Sequence, residues 1–302
     1  MNVVITGATG FIGRHLLQRL QRDHHSIKVL SRDGIRAGKE LNVPAWSWDY
    51  ARQDVPDKVL HDCHAIIHLM GENLGEGRWT VDRKREIYES RIISTRKLVA
   101  AAPASLQTFV CGSAIGIYPG DTDDRYDESY VMNSQPSFMQ TICQDWEKEA
   151  SMIEHNSVRR VSIRTGVVLG RGGMLQKLLP IFKLGLGGPV GNGQQWLPWI
   201  HIDDLVSIFS NAAVDTRYHG PINAVAPHPI RYREFATVLG KALHRPALLP
   251  VPEAMLRLAL GEAAALALNS YCIAPKRLVE ELGFRFAFDD LPSALQEIVA
   301  RQ

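Results

Sequence analysis

The sequence predicts an α/β protein, a Rossmann-type doubly wound parallel sheet with a smaller C-terminal α/β lobe. Three observations predict it. The apolar run Val3-Val4-Ile5 leads straight into the glycine-rich stretch Thr6-Gly7-Ala8-Thr9-Gly10-Phe11-Ile12-Gly13. An amphipathic helix and a second strand follow, which completes a βαβ unit. The chain has 302 residues, 45% of them hydrophobic and 22% charged, enough to bury one large core and a smaller lobe. The expected division is a nucleotide-binding domain over residues 1–170, completed by roughly 200–226, and a mainly substrate-binding lobe over 171–302 that returns to the main sheet.

In the opening turn each glycine has its own duty. Gly7 permits a tight turn, Gly10 lets backbone N–H groups approach a pyrophosphate, and Gly13 allows the helix to pack close on the strand. A diphosphate then sits at a helix N-terminus. The helix places Phe11, Ile12, Leu16, Leu17 and Leu20 on one face and Arg14, Gln18, Arg19 and Gln21 on the other. The next strand, Ile27-Lys28-Val29-Leu30, ends at Ser31-Arg32, roughly 20 residues past the turn, where an acidic residue would hold the ribose 2′-hydroxyl of NAD. A hydroxyl and a guanidinium stand there instead. A guanidinium grips phosphate through parallel charge-assisted hydrogen bonds, so the 2′-phosphate of NADP is the better fit; Asp33 on a ribose is the alternative.

A polar loop leads to Ala45-Trp46-Ser47-Trp48-Asp49, a short alternating strand whose tryptophans are expected to cap the sheet edge. Asp49 then either faces an adenine or stands exposed in a loop. The buried strand Ala65-Ile66-Ile67-His68-Leu69-Met70 ends in Gly71-Glu72-Asn73 and is expected beside the first strand. The crevice where strand order reverses lies between them, lined by Leu69, Met70 and Gly71, with Glu72 toward a substrate. His68, inside an apolar strand, reads as a core histidine. A helix over 81–102 carries Ile87, Ser90, Arg91, Ser94, Leu98 and Val99 on its inner stripe. Arg91 on that stripe is placed to reach a ribose or phosphate, with Glu86 assisting, or else to pair with acids of its own helix.

The strand Thr108-Phe109-Val110-Cys111-Gly112-Ser113 presents Ser113 at its carboxyl edge, with Tyr118 just beyond. A polar loop over 120–136, a helix through Met139, Cys143, Trp146 and Glu147, and a strand over 158–164 follow. The glycine-rich stretch 185–193 lacks a strand-then-helix context and reads as a flexible wall of the substrate pocket. Trp199-Ile200-His201-Ile202-Asp203-Asp204-Leu205 is expected to bring the chain back to the main sheet, with Asp203 capping the next helix. Beyond Val225, short helices and the Pro-punctuated strand Leu248-Leu249-Pro250-Val251-Pro252 indicate the smaller lobe, and 254–268 reads as a buried helix pair.

A net charge of +2 with dispersed Lys and Arg argues against nucleic acid, since the densest basic run, Arg83-Lys84-Arg85, is flanked by Asp82 and Glu86. The glycine turn interrupts the opening apolar run before a signal core forms, and 254–268 carries Arg257 and Glu262, so no membrane segment is expected. Cys63, Cys111, Cys143 and Cys272 show no CxxC spacing, so neither a disulfide framework nor a metal site is expected, and a reducing cytoplasm fits. The expected partner is a small-molecule substrate, with a homodimer left open.

Four of these landmarks resemble the extended short-chain dehydrogenase/reductase superfamily of nucleotide-sugar epimerases and dehydratases. They are TGATGFIG from Thr6, Ser113-Ala114-Ile115-Gly116-Ile117-Tyr118, Arg164-Thr165-Gly166-Val167-Val168-Leu169-Gly170 and Trp199-Ile200-His201-Ile202-Asp203-Asp204. Gly71-Glu72-Asn73, Gly77-Arg78-Trp79-Thr80, Cys143-Gln144-Asp145-Trp146-Glu147, 185–189 and Asn223-Ala224-Val225-Ala226-Pro227 make the chain similar, over essentially its full length, to the atypical branch called epimerase family proteins. The resemblance implies NADP contacts at Thr9, Gly10, Phe11, Ile12, Ser31, Arg32, Leu69, Met70, Glu86, Arg91 and Arg164.

The resemblance also breaks at one point. Ordinary members pair a tyrosine with a lysine four residues later, the lysine and cofactor lowering the phenol's pKa for proton exchange during hydride transfer. Counted back from Glu147, those slots hold Met139 and Cys143, and methionine supplies no proton. Candidates in their place are Ser113 as hydroxyl donor to a carbonyl, Glu72 as acid or base, Tyr118, and Cys143 with a depressed thiol pKa. The expected function is an NADP(H)-dependent oxidoreductase or epimerase-like enzyme on a small polar metabolite, or else a protein that holds NADPH as ligand or redox gauge without hydride chemistry.

Overall fold

In the computed structural model, which describes residues 1–132, 134–153 and 158–300, the opening apolar run becomes β1 (Asn2–Thr6). Residues 3–6 are all buried, as a central parallel strand covered on both faces requires. α1 (Phe11–Arg22) turns Leu16, Leu17 and Leu20 inward, each burial contributing roughly 1.5–3 kcal/mol, and returns the chain to β2 (Ser26–Ser31), parallel to β1. Next comes α2 (Gly34–Leu41), where the sequence reading expects only a polar loop. Its two glycines weaken the helical pattern, but Asp33 caps it by accepting from the Arg36 N–H at 2.9 Å. Gly34 is required because a Cβ there would lie 2.4 Å from the Ser47 nitrogen of β3 (Ala45–Ser47).

β3 is the sheet edge, yet Trp48 does not cap that edge. It is fully buried among Val4, Leu30 and Val55 beneath the sheet. α3 (Asp57–Leu60), β4 (Ala65–His68), α4 (Val81–Ala100) and β5 (Thr108–Ala114) follow. The expected 120–136 loop contains the short β6 (Arg125–Tyr126), and its residue 133 lies outside the described residues. Then come α5 (Phe138–Ser151), β7 (Arg159–Thr165), β8 (Val167–Leu169), α6 (Gly173–Lys183), β9 (Trp196–Leu197) and β10 (Trp199–His201). α7 (Ile202–Val214), β11 (Gly220–Ala224), β12 (Ile230–Arg231), α8 (Tyr232–Ala242), α9 (Glu253–Leu260), α10 (Ala265–Leu268), β13 (Cys272–Ile273) and α11 (Leu291–Ala300) complete the order.

The seven-stranded sheet is parallel throughout, in the order β11-β7-β5-β4-β1-β2-β3. Strand order reverses between β1 and β4, which opens the crevice above their carboxyl ends. α1 and α7 supply Leu16, Leu20, Leu205 and Phe209 to the core on one face; α4 and α5 supply Ile92, Leu98, Trp146 and Ala150 on the other.

Four expectations for the second half need correction. β10 pairs with β8 in a two-stranded sheet and does not rejoin the main one; α7 and β11 make that return. The cap of α7 is His201, whose Nδ1 accepts the Asp203 N–H at 3.1 Å, so Asp203 falls inside the first turn. The expected strand over 248–252 does not form; its backbone instead bonds the 185–193 stretch, Leu249 N–H to Gly187 O (3.2 Å) and Val251 N–H to Pro189 O (2.8 Å). Val251 thereby makes only a single bridge, to Val190, instead of a full strand. The 254–268 stretch is no buried helix pair: α9 buries no residue, Met255 and Leu258 are exposed, and only Ala263 and Ala264 pass inside. Of this two-turn helix Leu256 packs on the lobe's core and Leu260 on the cluster of Trp79, Ile87 and Ile142.

Among the described residues no helix is long and apolar enough to cross a membrane. All four cysteines are buried and free.

Candidate functional site

The turn after β1 is built as the glycine spacing demands. Gly7 has φ +71°, and a Cβ there would lie 2.8 Å from the Leu69 carbonyl; a Cβ on Gly13 would lie 2.3 Å from Gly7 O. Gly10 caps α1 in extended conformation with no side chain bonding the first turn, and that turn holds no acidic residue. The positive end of the helix is therefore unneutralised by the protein and faces the crevice. Thr9 and Ile12 belong to this turn, and the Phe11 ring packs where a Cβ on Gly172 would be 2.5 Å from it.

The floor beside β1 is set by a buried relay. Thr6 Oγ1 accepts the N–H groups of Leu69 and Met70, each at 3.2 Å, and so donates its proton to His68 Nδ1 at 2.7 Å. His68 Nε2–H then donates to Ser94 Oγ (3.2 Å), and Ser94 donates to Ser90 O (2.6 Å). His68 is the core histidine that the sequence predicts, and burial pushes its pKa down to about 3. The same relay fixes Leu69 and Met70 on the crevice wall.

Ser31 ends β2 and Arg32 follows it, its side chain 78% exposed. Asp33, the alternative ribose partner, caps α2 through its Oδ1. Arg32 Nη1 meets Glu72 Oε1 at 3.2 Å, and Arg83 Nη1 meets Glu72 Oε2 at 3.1 Å. Glu72, expected toward a substrate as acid or base, therefore bonds two guanidiniums, one of them just past the end of β2. Arg91 is buried, as an inner-stripe residue must be, and Gly71 makes room for it, since a Cβ there would be 2.8 Å from Arg91 Cζ. Its guanidinium donates to Ile87 O (2.9 Å) and Glu72 O (3.0 Å), and burial, with Arg83 nearby, pulls its pKa down to about 10. Glu86 does not join it. That carboxylate is exposed and pairs with Arg83 at 3.0 Å.

At the other end, the edges of β5, β7 and β11 bring together a buried polar network. Ser113 Oγ donates to Glu147 Oε1 at 2.7 Å. Arg164 grips both oxygens of Glu147, Nε to Oε1 at 2.8 Å and Nη2 to Oε2 at 2.9 Å, and gives Nη1 to the Tyr118 hydroxyl at 2.9 Å. Tyr118 in turn donates to Asn223 Oδ1 at 2.7 Å, and Glu128 accepts the Asn223 N–H at 2.9 Å. Burial alone would pull the Arg164 guanidinium down, but Glu147 and Tyr118 hold it well above its usual range. Burial pushes the Tyr118 phenol up to about 12 in spite of Arg164, and its proton is committed to Asn223.

Met139 and Cys143 face the turn 115–117, where a Cβ on Gly116 would meet Met139 Cε at 3.0 Å and Cys143 Sγ at 3.8 Å. Both slots are filled by apolar packing. The depressed thiol considered for Cys143 is corrected: burial, and then the Glu147 charge, push it up to about 12, although Arg91 acts the other way. Sequence reasoning used Glu147 only as a landmark, yet it stands one helical turn past Cys143 on the same face. Asn223 and Glu128 carried no sequence signal for the network.

The NAD-dependent epimerase/dehydratase family model matches residues 3–222, and a domain of unknown function (DUF1731) matches 251–298. The chain is 38% identical over 308 residues to the chloroplastic epimerase family protein SDR39U1 homolog of Arabidopsis thaliana, covering 99% of this chain and 87% of that protein. It is 35% identical to epimerase family protein YfhF of Bacillus subtilis, covering 99% and 98%. The crystal structure of human epimerase family protein SDR39U1 (isoform 2) with NADPH superposes with a TM-score of 0.89 at 34% identity, covering all of both chains.

Proposed function

Because this chain belongs to the NAD-dependent epimerase/dehydratase family, we propose that it is an NADP(H)-binding, epimerase-like oxidoreductase acting on a small polar metabolite. The observation that carries the reading is the cradle of Gly7, Gly10 and Gly13 at the uncapped start of α1, flanked by the exposed Arg32. The human relative's structure with NADPH supports the same coenzyme. The residues fit it: the first turn of α1 would hold the diphosphate, and Arg32 the 2′-phosphate.

When bound, the nicotinamide supplies hydride acceptance and donation. Ser113 is the residue that moves the proton. Its Oγ receives the proton of a substrate hydroxyl as its own passes to the Glu147 carboxylate 2.7 Å away, and the reverse returns it. Arg164 locks Glu147 by two bonds, so the acceptor stays aligned. Neither Met139 nor the high-pKa Cys143 serves this role.

A second reading, a non-catalytic NADPH-binding or redox-sensing protein, is favoured by the apolar filling of the Met139 and Cys143 slots. Calorimetric titration with NADPH and NADH, followed by product analysis on a metabolite extract, separates the two. Uptake of NADPH with coenzyme turnover or an isomerised product, both lost in Ser113→Ala, supports the enzyme. Uptake without either supports the second reading, and no uptake of either coenzyme overturns both.

A further inference from the structure

Arg32 follows β2 and Glu72 follows β4, the two strands on either side of β1. Their ion pair therefore crosses the groove above the glycine turn, where a coenzyme reading puts the adenosine ribose. The two partners are held very differently. Arg32 is 78% exposed, whereas Glu72 is fixed from three sides: its N–H donates to Ser90 Oγ (3.0 Å), its carbonyl accepts from Arg91 (3.0 Å), and its Oε2 accepts from Arg83 (3.1 Å). If the pair breaks, Arg32 leaves and Glu72 stays.

We propose that Glu72 sets coenzyme selectivity: it is a fixed internal carboxylate that competes with the 2′-phosphate of NADPH for the Arg32 guanidinium. The proposal rests on the NADP(H) reading. An exposed ion pair in this geometry is weak, so a phosphate bearing nearly two negative charges displaces the carboxylate, at a cost that NADH never meets because it brings no anion to Arg32. Binding of NADPH is thus held below what Arg32 alone would give. Glu72→Gln keeps the shape and the Arg83 contact while removing the competing charge.

The test measures the dissociation constants of NADPH and NADH by calorimetry on the full chain, for wild type, Glu72→Gln, Arg32→Gln and the double variant. Glu72→Gln should tighten NADPH by about three- to tenfold and change NADH by less than about twofold. In the Arg32→Gln background the same change should alter NADPH by less than about twofold, because the competition has no object. Equal weakening of both coenzymes by Glu72→Gln would mean that the pair clasps bound coenzyme, and the proposal falls. An unchanged NADPH constant also overturns it. Failure of wild type to bind either nucleotide instead overturns the coenzyme reading itself. Thermal unfolding of each variant establishes that it is folded.

Discussion

Replacing His68 by Asn should flatten the acid side of the stability curve. The ring is fully buried, and its pKa falls from 6.5 to about 3 on folding, chiefly through desolvation, with the Arg91 charge in support. The folded state therefore favours the neutral ring. Its contribution is complete above the unfolded pKa of 6.5 and is lost as pH falls toward 3, because the unfolded chain binds a proton that the folded one refuses. Between pH 7 and 4.5 the loss amounts to about 2.5 kcal/mol, from about 1.4 kcal/mol per pH unit below 6.5. Asn places an acceptor where Nδ1 stood, so the Thr6 hydroxyl keeps a partner while the titrating group disappears. The variant begins lower by about 1–3 kcal/mol, having lost the Ser94 bond and some volume. Urea unfolding followed by tryptophan fluorescence at four pH values gives both curves. The wild type should converge on the variant as pH drops, and parallel curves would refute the account.

Two other substitutions probe the cradle and the network. Gly13→Ala puts a methyl 2.3 Å from Gly7 O, so α1 must move off β1; unfolding should shift down by about 2 kcal/mol or more and NADPH uptake should fall with it. A variant with wild-type stability and affinity would show that the close approach is unnecessary. Glu147→Leu strands the Arg164 charge in the interior and should cost about 3–5 kcal/mol by chemical denaturation, whereas Glu147→Leu with Arg164→Met should recover most of that. No recovery in the double variant would mean that the pair matters through its other bonds.

The features legible in the sequence are those whose physics is local. A glycine needed for a close approach, an arginine at a strand end and an apolar run of strand length all declare themselves within a few residues, and the sheet, its reversal point and α1 follow from them. Where tertiary partners decide, the sequence was silent. The helical pattern of α2 is diluted by Gly34, present because β3 presses against that position. Trp48 looks like an edge residue until α3 and the 55–60 segment close beneath it. The Ser113–Glu147 contact joins residues 34 apart, and Tyr118–Asn223 joins residues 105 apart, so no window of sequence contains either. The His201 cap of α7 was missed because Asp203 suits a cap equally well, and only the extended backbone at His201 decides between them.

Loss of the tyrosine–lysine pair does not empty the crevice of charge; it redistributes it. Cys143 stands in the lysine slot, yet its thiol feels the Arg91 guanidinium, so a cation is still delivered to that neighbourhood, from α4 in place of α5. That cation is held by two carbonyls and lies near the Glu72 charge, a second positive centre besides the uncapped start of α1. Arg164 is different. Its charge is matched by Glu147 through two bonds, which makes it a positioning group with little field of its own. The division has a chemical consequence. In the tyrosine–lysine pair of the resemblance, the lysine and the coenzyme together lower the phenol's pKa, so coenzyme binding and proton exchange are coupled. Under the proposed function, attraction falls to Arg91 and α1 and proton exchange to Ser113 beside a locked carboxylate, so each can be altered with the other left in place.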